Sequence, residues 1–299
     1  MATAITVRVP ATSANLGAGF DCLGMALELV ASVTVTFEGR EPFPSEDVGE
    51  KMVLSAVRQT FQRMGKPVPP VSAHYNVSIP LGRGLGASAV ARVAGVLAAN
   101  EYAHSPLSAD ACLDIASDLE GHGDNACPAM FGGMQVCVAA KGHYPHVSCR
   151  YPQDISMAIL IPDHSMATKD ARKVLPDSYS RADAVHNVGR ASLFVAAMAA
   201  GRFDLLDEAT QDVIHQPQRK ALFPALFDIF AAAKGAGAHA TWLSGAGSCV
   251  AALCTGETAR TVAPAMLATL KAAGMGGRSL VTRIAAEGAA VSKIELVQG

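Results

Sequence analysis

Val7 and Val9 alternate with Thr6 and Arg8, and this period of two predicts a strand over Thr6–Pro10. The β-branched-rich run Glu28–Phe37 predicts a second strand, and so an early hairpin. The spacing then turns helical. Met52, Val53, Ala56, Val57 and Phe61 recur on one face of Lys51–Met64, which the prolines of Pro67–Pro70 close. A short strand is predicted at Val77–Pro80, followed by a helix over Ser88–Asn100 with Val90, Val93, Ala94 and Leu97 inward. Leu107–Leu119 is a further amphipathic helix. The acidic, proline-containing residues 41–50 read as a surface loop.

Composition shifts across the polar, His- and Pro-bearing stretch Lys141–Pro152, which places a domain boundary there and divides the chain into 1–150 and 151–299. Beyond it the pattern predicts a strand at Ile155–Ile161 and helices over Thr168–Leu175, Arg181–Ala200, Phe203–Ile214 and Leu222–Lys234. A basic turn, His215–Lys220, interrupts them. Strands at His239–Leu243 and Cys249–Cys254, a helix over Glu257–Ala273, and strands near Ser279–Ala286 and Val291–Val297 complete the order. That succession is α+β, in the manner of a split βαβ sandwich.

With 299 residues, 50% of them hydrophobic, the chain can bury a large core. A net charge of −2 with scattered Lys and Arg argues against nucleic acid or an acidic membrane surface as partner. Seven cysteines without a C-x-x-C pair fit free thiols in a reducing compartment, so the cytoplasm is the expected location. Met1–Pro10 lacks the features of a signal peptide, and Arg92 interrupts the apolar helix, so no membrane span is expected.

Three loops carry the candidate chemistry. In Pro80-Leu81-Gly82-Arg83-Gly84-Leu85-Gly86-Ala87-Ser88-Ala89, three glycines in five residues open onto a helix, an arrangement suited to phosphate. No Gly-Lys-[Ser/Thr] follows, and Pro80 spoils a dinucleotide fingerprint; an ordinary Gly-rich turn before a buried helix has the same look. Ala11–Asp21 holds Ser13, Asn15 and Asp21 among small residues, as polar contacts for a substrate or merely as turn caps. Glu120-Gly121-His122-Gly123-Asp124-Asn125 places a hard oxygen ligand suited to Mg²⁺ beside donors and acceptors for a polar substrate. For His122 alone a structural role is an equal reading. Ser244-Gly-Ala-Gly-Ser248 is a tight turn between strands that implies close backbone approach to a ligand or to the other domain.

Val7–Asp21, Pro80–Ala89 and Ser244–Ser248, in this order, resemble the three motifs of the GHMP kinases, and the likeness covers nearly the whole chain. Within that family, P-A-T-S-A-N-L-G-x-G-F-D and E-G-H-x-D-N-x-x-P are similar to the members that phosphorylate homoserine. The resemblance implies a two-domain fold, with an N-terminal half like domain 2 of ribosomal protein S5 and a ferredoxin-like C-terminal half. It implies ATP in Pro80–Ala89 and Mg²⁺ held by Ser88 and Glu120. It also implies L-homoserine facing Asn15, Asp21, His122, Asp124 and Asn125, with Arg172 and Arg219 clamping its carboxylate. Thr168, one turn before Arg172, joins the same pocket, and Asn125, Thr168 and Arg172 form the expected catalytic set. A homodimer is implied as well.

Where mevalonate kinase-like members have an aspartate base, this chain has Asn125, which cannot take a proton at neutral pH and is expected to orient the hydroxyl. Ala87, Gly123, Cys127 and Ser248 depart from the family's usual serine, proline, alanine and proline, but none removes a charged ligand. A kinase for another small amino alcohol such as L-threonine, and a non-catalytic binding protein on the same fold, are the alternative readings.

Overall fold

The computed structural model describes residues 2–37, 45–76 and 79–296. Residues 41–44 of the expected acidic loop, Val77 and Ser78 of the expected third strand, and Val297 lie outside them.

The first half is built on two long strands, β1 (Ala2–Ala14) and β2 (Leu23–Phe37), paired antiparallel along almost their whole lengths. Both reach beyond the segments that alternation marks. The register shifts between Pro10 and Ala11: Pro10 faces Val30, whereas Ala11 faces Leu27. Pro10 has no N–H to give, and the extra residues of β2 form a bulge that re-aims the end of β1. Helix α1 (Val48–Arg63), capped by Asp47, leads to β3 (Val71–Asn76), which pairs with Ser32–Phe37 of β2. Of the segment Val77–Pro80 where the sequence suggests a strand, the described residues Ile79 and Pro80 are not in one.

Helix α2 (Ala87–Tyr102) is buried on nearly every side, as an Ala- and Val-rich helix without exposed charge along one face should be. It crosses α1 closely; a Cβ at Gly95 would lie 2.5 Å from the Val53 carbonyl oxygen. Helices α3 (Ala109–Glu120) and α4 (Ala126–Phe131) follow, then the short strands β4 (Met134–Cys137) and β5 (His146–Cys149). Pro128 does not break α4, because it sits in the first turn, where its missing N–H leaves no bond unmade.

Strand β6 (Ile155–Pro162) is buried throughout, and its period of two divides it between two cores. Met157, Ile159 and Ile161 pack with the first half; Ala158 and Leu160 pack with the helices of the second. Helices α5 (Thr168–Lys173) and α6 (Arg181–Ala200) follow, α6 opening on a Ser180–Asp183 capping box. The continuous helix expected over Phe203–Ile214 is a 3₁₀ turn (Phe203–Leu205) and a single turn α7 (Leu206–Ala209). The Asp212 carboxylate accepts from the amides of Ile214, His215 and Gln216, a local competitor that turns the backbone away. The short α8 (Gln216–Arg219) then precedes α9 (Leu226–Gly235), whose start waits until after Pro224.

Strands β7 (Ala240–Leu243) and β8 (Val250–Thr255), helix α10 (Ala259–Ala272), β9 (Gly277–Thr282) and β10 (Ala290–Leu296) complete the chain. The second sheet has the antiparallel order β7-β8-β6-β9, which with its intervening helices is the split βαβ pattern. The first sheet runs β10-β1-β2-β4-β5, with β3 also on β2. The fold is α+β. The expected boundary after residue 150 falls between β5 and β6, which lie in different sheets, but β10 returns to pair with β1 in the first.

Candidate active site

β1 ends in the turn Asn15–Asp21, whose conformation is unusual: Asn15, Leu16 and Asp21 all have positive φ, at 71°, 44° and 57°. Side-chain bonds hold this strain in place. Asn15 Nδ2 donates to the Gly245 carbonyl at 2.8 Å, and its Oδ1 accepts from the Asp21 amide at 3.0 Å. One asparagine thus shapes the turn and ties it to the Ser244–Ser248 loop.

The glycine loop is clasped between these two segments. At Gly84 a Cβ would lie 2.0 Å from the Ser244 carbonyl oxygen, and at Gly86 1.9 Å from Thr12 Oγ1, so neither position admits a side chain. Below it runs a directed polar chain: Trp242 Nε1 donates to Ser13 Oγ, Ser13 Oγ lies 2.8 Å from Ser244 Oγ, and Ser244 Oγ donates to the Gly84 carbonyl. Gly86, at φ 68°, caps α2 without any side-chain bond to the helix amides. The N-terminus of α2 therefore keeps its donors and partial positive charge for a ligand.

These segments, the 120–125 loop, the start of α5 and Arg219 enclose a cavity of about 270 Å³. Asn15, Asp21, His122, Asp124, Asn125, Thr168, Arg172 and Arg219 all line it, as do Ser88 and Glu120, together with Leu81, Gly82, Gly84, Gly86 and Ala87. Pro80, Arg83, Leu85 and Ala89 do not. Leu85 and Ala89 are turned into the core, and the Arg83 carbonyl accepts from the Cys249 amide.

Charges are paired across the cavity. Arg172 reaches both oxygens of Asp21, at 2.8 and 3.0 Å. His122 Nδ1 lies 2.5 Å from Asp124 Oδ1, which also accepts from Asn125 Nδ2; Asn125 Oδ1 accepts from Thr12 Oγ1 at 2.7 Å. Burial pulls the His122 pKa down, but Asp124, with help from Asp21 and Glu120, more than reverses this and brings it to about 8. Burial raises the Glu120 carboxyl above its ordinary range, against the lowering effect of Arg92, His122 and Ser88. Burial and then Arg172 lower Arg219 to about 10, which leaves it protonated.

Glu120 is also incompletely satisfied. Ser88 Oγ donates to its Oε2 at 3.1 Å, while Oε1 has no hydrogen bond; Arg92 Nη1 stands 2.9 Å away but off the line such a bond needs. A buried carboxylate oxygen beside a hydroxyl is a hard donor set that fits a magnesium ion.

Several residues in or beside the cavity carry no signal in the sequence that marks them for the site. Phe20 lies with the guanidinium carbons of Arg172 and Arg219 each 5.5 Å from its ring centre. Thr12 fixes Asn125, and Val48, Met52 and Met166 supply apolar wall. Gly24 lets β2 touch the Asp124 carbonyl, where a Cβ would fall 1.8 Å away; a glycine inside a strand is the one available signal of that approach.

The defining pattern of the GHMP kinases N terminal domain matches residues 51–133, and that of the GHMP kinases C terminal matches residues 194–272. The chain belongs to the GHMP kinase family. Among curated relatives, a homoserine kinase of Synechocystis sp. is 38% identical over 97% of this chain and 98% of its own length. One from Desulfitobacterium hafniense is 39% identical over 96% and 99%. The crystal structure of homoserine kinase from Cytophaga hutchinsonii superposes with a TM-score of 0.87 at 28% identity, covering 97% of each chain.

Proposed function

We propose that this chain transfers the γ-phosphoryl group of ATP to the hydroxyl of L-homoserine, giving O-phospho-L-homoserine and ADP. The observation that carries the reading is one cavity holding an uncapped helix N-terminus beside both signs of paired charge. The helix end and glycine loop suit phosphates. A zwitterionic amino acid is met by exchange: Asp21 and Arg172 part, one taking the ammonium and the other, with Arg219, the carboxylate. Names borne by relatives at 38% and 39% identity over nearly the whole chain support the same substrate.

Ser88 and Glu120 would hold Mg²⁺, which when bound neutralises charge on the transferring phosphoryl group. Asn125 keeps one N–H for the acceptor hydroxyl, since its Oδ1 is engaged by Thr12 and one Nδ2 hydrogen by Asp124. It orients the hydroxyl and takes no proton. The oxygen–phosphorus bond forms as the bridging bond to ADP breaks, and the hydroxyl proton passes to a phosphate oxygen. Positioning and charge carry the rate. Thr168 opens α5 at the cavity wall, where its hydroxyl meets the same substrate as Arg172.

No helix among the described residues is long and apolar enough to cross a membrane, and all seven cysteines are free. A cytoplasmic enzyme, acting as a homodimer as the family resemblance implies, completes the reading; light scattering tests the second part. The deciding assay is coupled ADP release with Mg-ATP against L-homoserine, L-threonine, L-serine and mevalonate, beside Glu120→Ala. Turnover with homoserine, lost in the variant, is expected. Turnover with threonine instead reassigns the substrate, and no turnover with any of them overturns the reading.

A further inference from the structure

His215 is fully buried one turn before Arg219, and none of the three motifs includes it. Its two ring nitrogens are both engaged. Nε2 lies 2.8 Å from the Gly17 carbonyl oxygen, which can only accept, so the proton sits on Nε2. Nδ1 then offers a lone pair, and Arg219 Nη1 donates to it at 3.1 Å. Burial lowers the His215 pKa, and Arg219 lowers it further against Asp212, which keeps the ring neutral and this tautomer in place. Asp212 lies 3.6 Å from Nε2 and accepts from the His215 and Gln216 amides, anchoring the ring's backbone.

The other bonds of Arg219 run to two carbonyls: Nε to Ala171 and Nη1 to Gly245. Its Nη2 is engaged by no described residue, and the guanidinium lines the cavity. Gly17 belongs to the strained turn that carries Asp21, and it is pressed on Thr210, where a Cβ would meet backbone at 2.6 Å. The Phe20 ring stacks on the imidazole with centres 5.2 Å apart. Among the described residues, His215 is therefore the one side chain hydrogen-bonded both to the turn and to the arginine.

We propose that His215 is a positioning residue for the acceptor carboxylate: its imidazole, seated against Gly17 and Phe20, offers Nδ1 to Arg219 Nη1 and so holds the guanidinium with Nη2 left for the substrate. The proposal rests on reading Arg219 as a carboxylate clamp for homoserine. A purely structural histidine would leave the substrates indistinguishable. A positioning one raises the KM for the amino acid and spares the KM for ATP, whose site lies across the cavity.

Steady-state kinetics with both substrates, on the wild type and on His215→Phe, His215→Asn and His215→Gln, test it. His215→Phe keeps the stack on Phe20 and loses both hydrogen bonds; it should raise the homoserine KM about tenfold, with ATP KM changed less than about twofold. In His215→Asn the amide oxygen replaces Nδ1 and keeps the arginine, so KM should return to within about threefold of wild type. His215→Gln places its amide nitrogen toward Gly17 and forfeits the Nδ1 acceptor, and should resemble His215→Phe. Should His215→Phe not fold, the Asn and Gln variants decide between themselves. Unchanged homoserine KM in a folded His215→Phe, equal rises in both KM values, or a Gln variant as good as the Asn variant overturns the proposal. Absence of homoserine turnover in the wild type would instead overturn the functional reading beneath it.

Discussion

Arg172 and Asp21, 151 residues apart in sequence, close on each other through two parallel hydrogen bonds of 2.8 and 3.0 Å at the wall of the cavity. Both side chains are more than a third or close to a third exposed, so the pair contributes little to folding. Its geometry matters more. On the proposed function, an amino acid entering the cavity would replace each partner with a group of the same sign, the carboxylate for Asp21 and the ammonium for Arg172. Asp21→Asn should leave the melting temperature nearly unchanged and raise the homoserine KM by roughly tenfold to a hundredfold. Arg172→Lys should do much the same, because a point charge cannot reproduce the planar fork. A melting temperature that falls while KM holds would refute this assignment.

The His122–Asp124 pair predicts a pH dependence of stability. Asp124 holds His122 at about 8, above its ordinary 6.5, so the stabilisation is complete below pH 6.5 and is lost as pH rises through about 8. A shift of this size is worth about 2 kcal/mol. Urea midpoints compared at pH 6 and pH 9 should therefore fall more steeply for the wild type than for His122→Asn. Parallel curves would show that the pair is not formed as a charged one.

Asn125→Asp should not supply a useful base. Nδ2 now donates to Asp124 Oδ1 at 3.2 Å, and the substitution would set two carboxylates face to face. Their repulsion keeps one protonated, although Thr12 Oγ1 can still donate to the new carboxylate. Single-turnover rates at pH 7 should fall for both Asn125→Asp and Asn125→Ala, by about tenfold or more. A faster Asp variant would mean that proton removal, and not orientation, limits the reaction.

Two glycines of one loop separate conformational need from close approach. Gly82 and Gly86 share φ 68°, but a Cβ at Gly82 meets only Ser165 at 3.6 Å, whereas at Gly86 it would collide with Thr12 Oγ1. Gly82→Ala should cost about 1–2 kcal/mol and retain activity. Gly86→Ala should abolish activity, since the Thr12–Asn125 contact must break to admit it. Similar losses in both, measured by thermal melting and turnover, would contradict the geometry.

Contiguous chemistry was legible in the sequence. Ser88, Glu120, His122, Asp124 and Asn125 stand out because each lies in a short run of small and polar residues with no packing reason to be there. The α+β order was legible too, since β6 and α2 carry strong apolar patterns. What stayed hidden depends on distant partners. Thr12 is one more small residue of the Ala11–Asp21 loop until Asn125 meets it, and His215 reads as part of a basic turn until Gly17 and Arg219 occupy its two nitrogens. β4 and β5, four residues each, are too short for alternation to announce. The helix expected up to Ile214 was broken by a local competitor of the backbone, the Asp212 carboxylate.

The pairing of β10 with β1 sets the order in which the molecule can be finished. The second sheet is drawn wholly from residues 155–282, so every strand it needs has left the ribosome while the first sheet still lacks its outer member. Until residues 290–296 emerge, β1 presents seven unpaired register positions to its surroundings, from Ala2 to Arg8. The half that is synthesised first is thus the half completed last, and the nascent chain waits with an open sheet edge through the whole of its own second half.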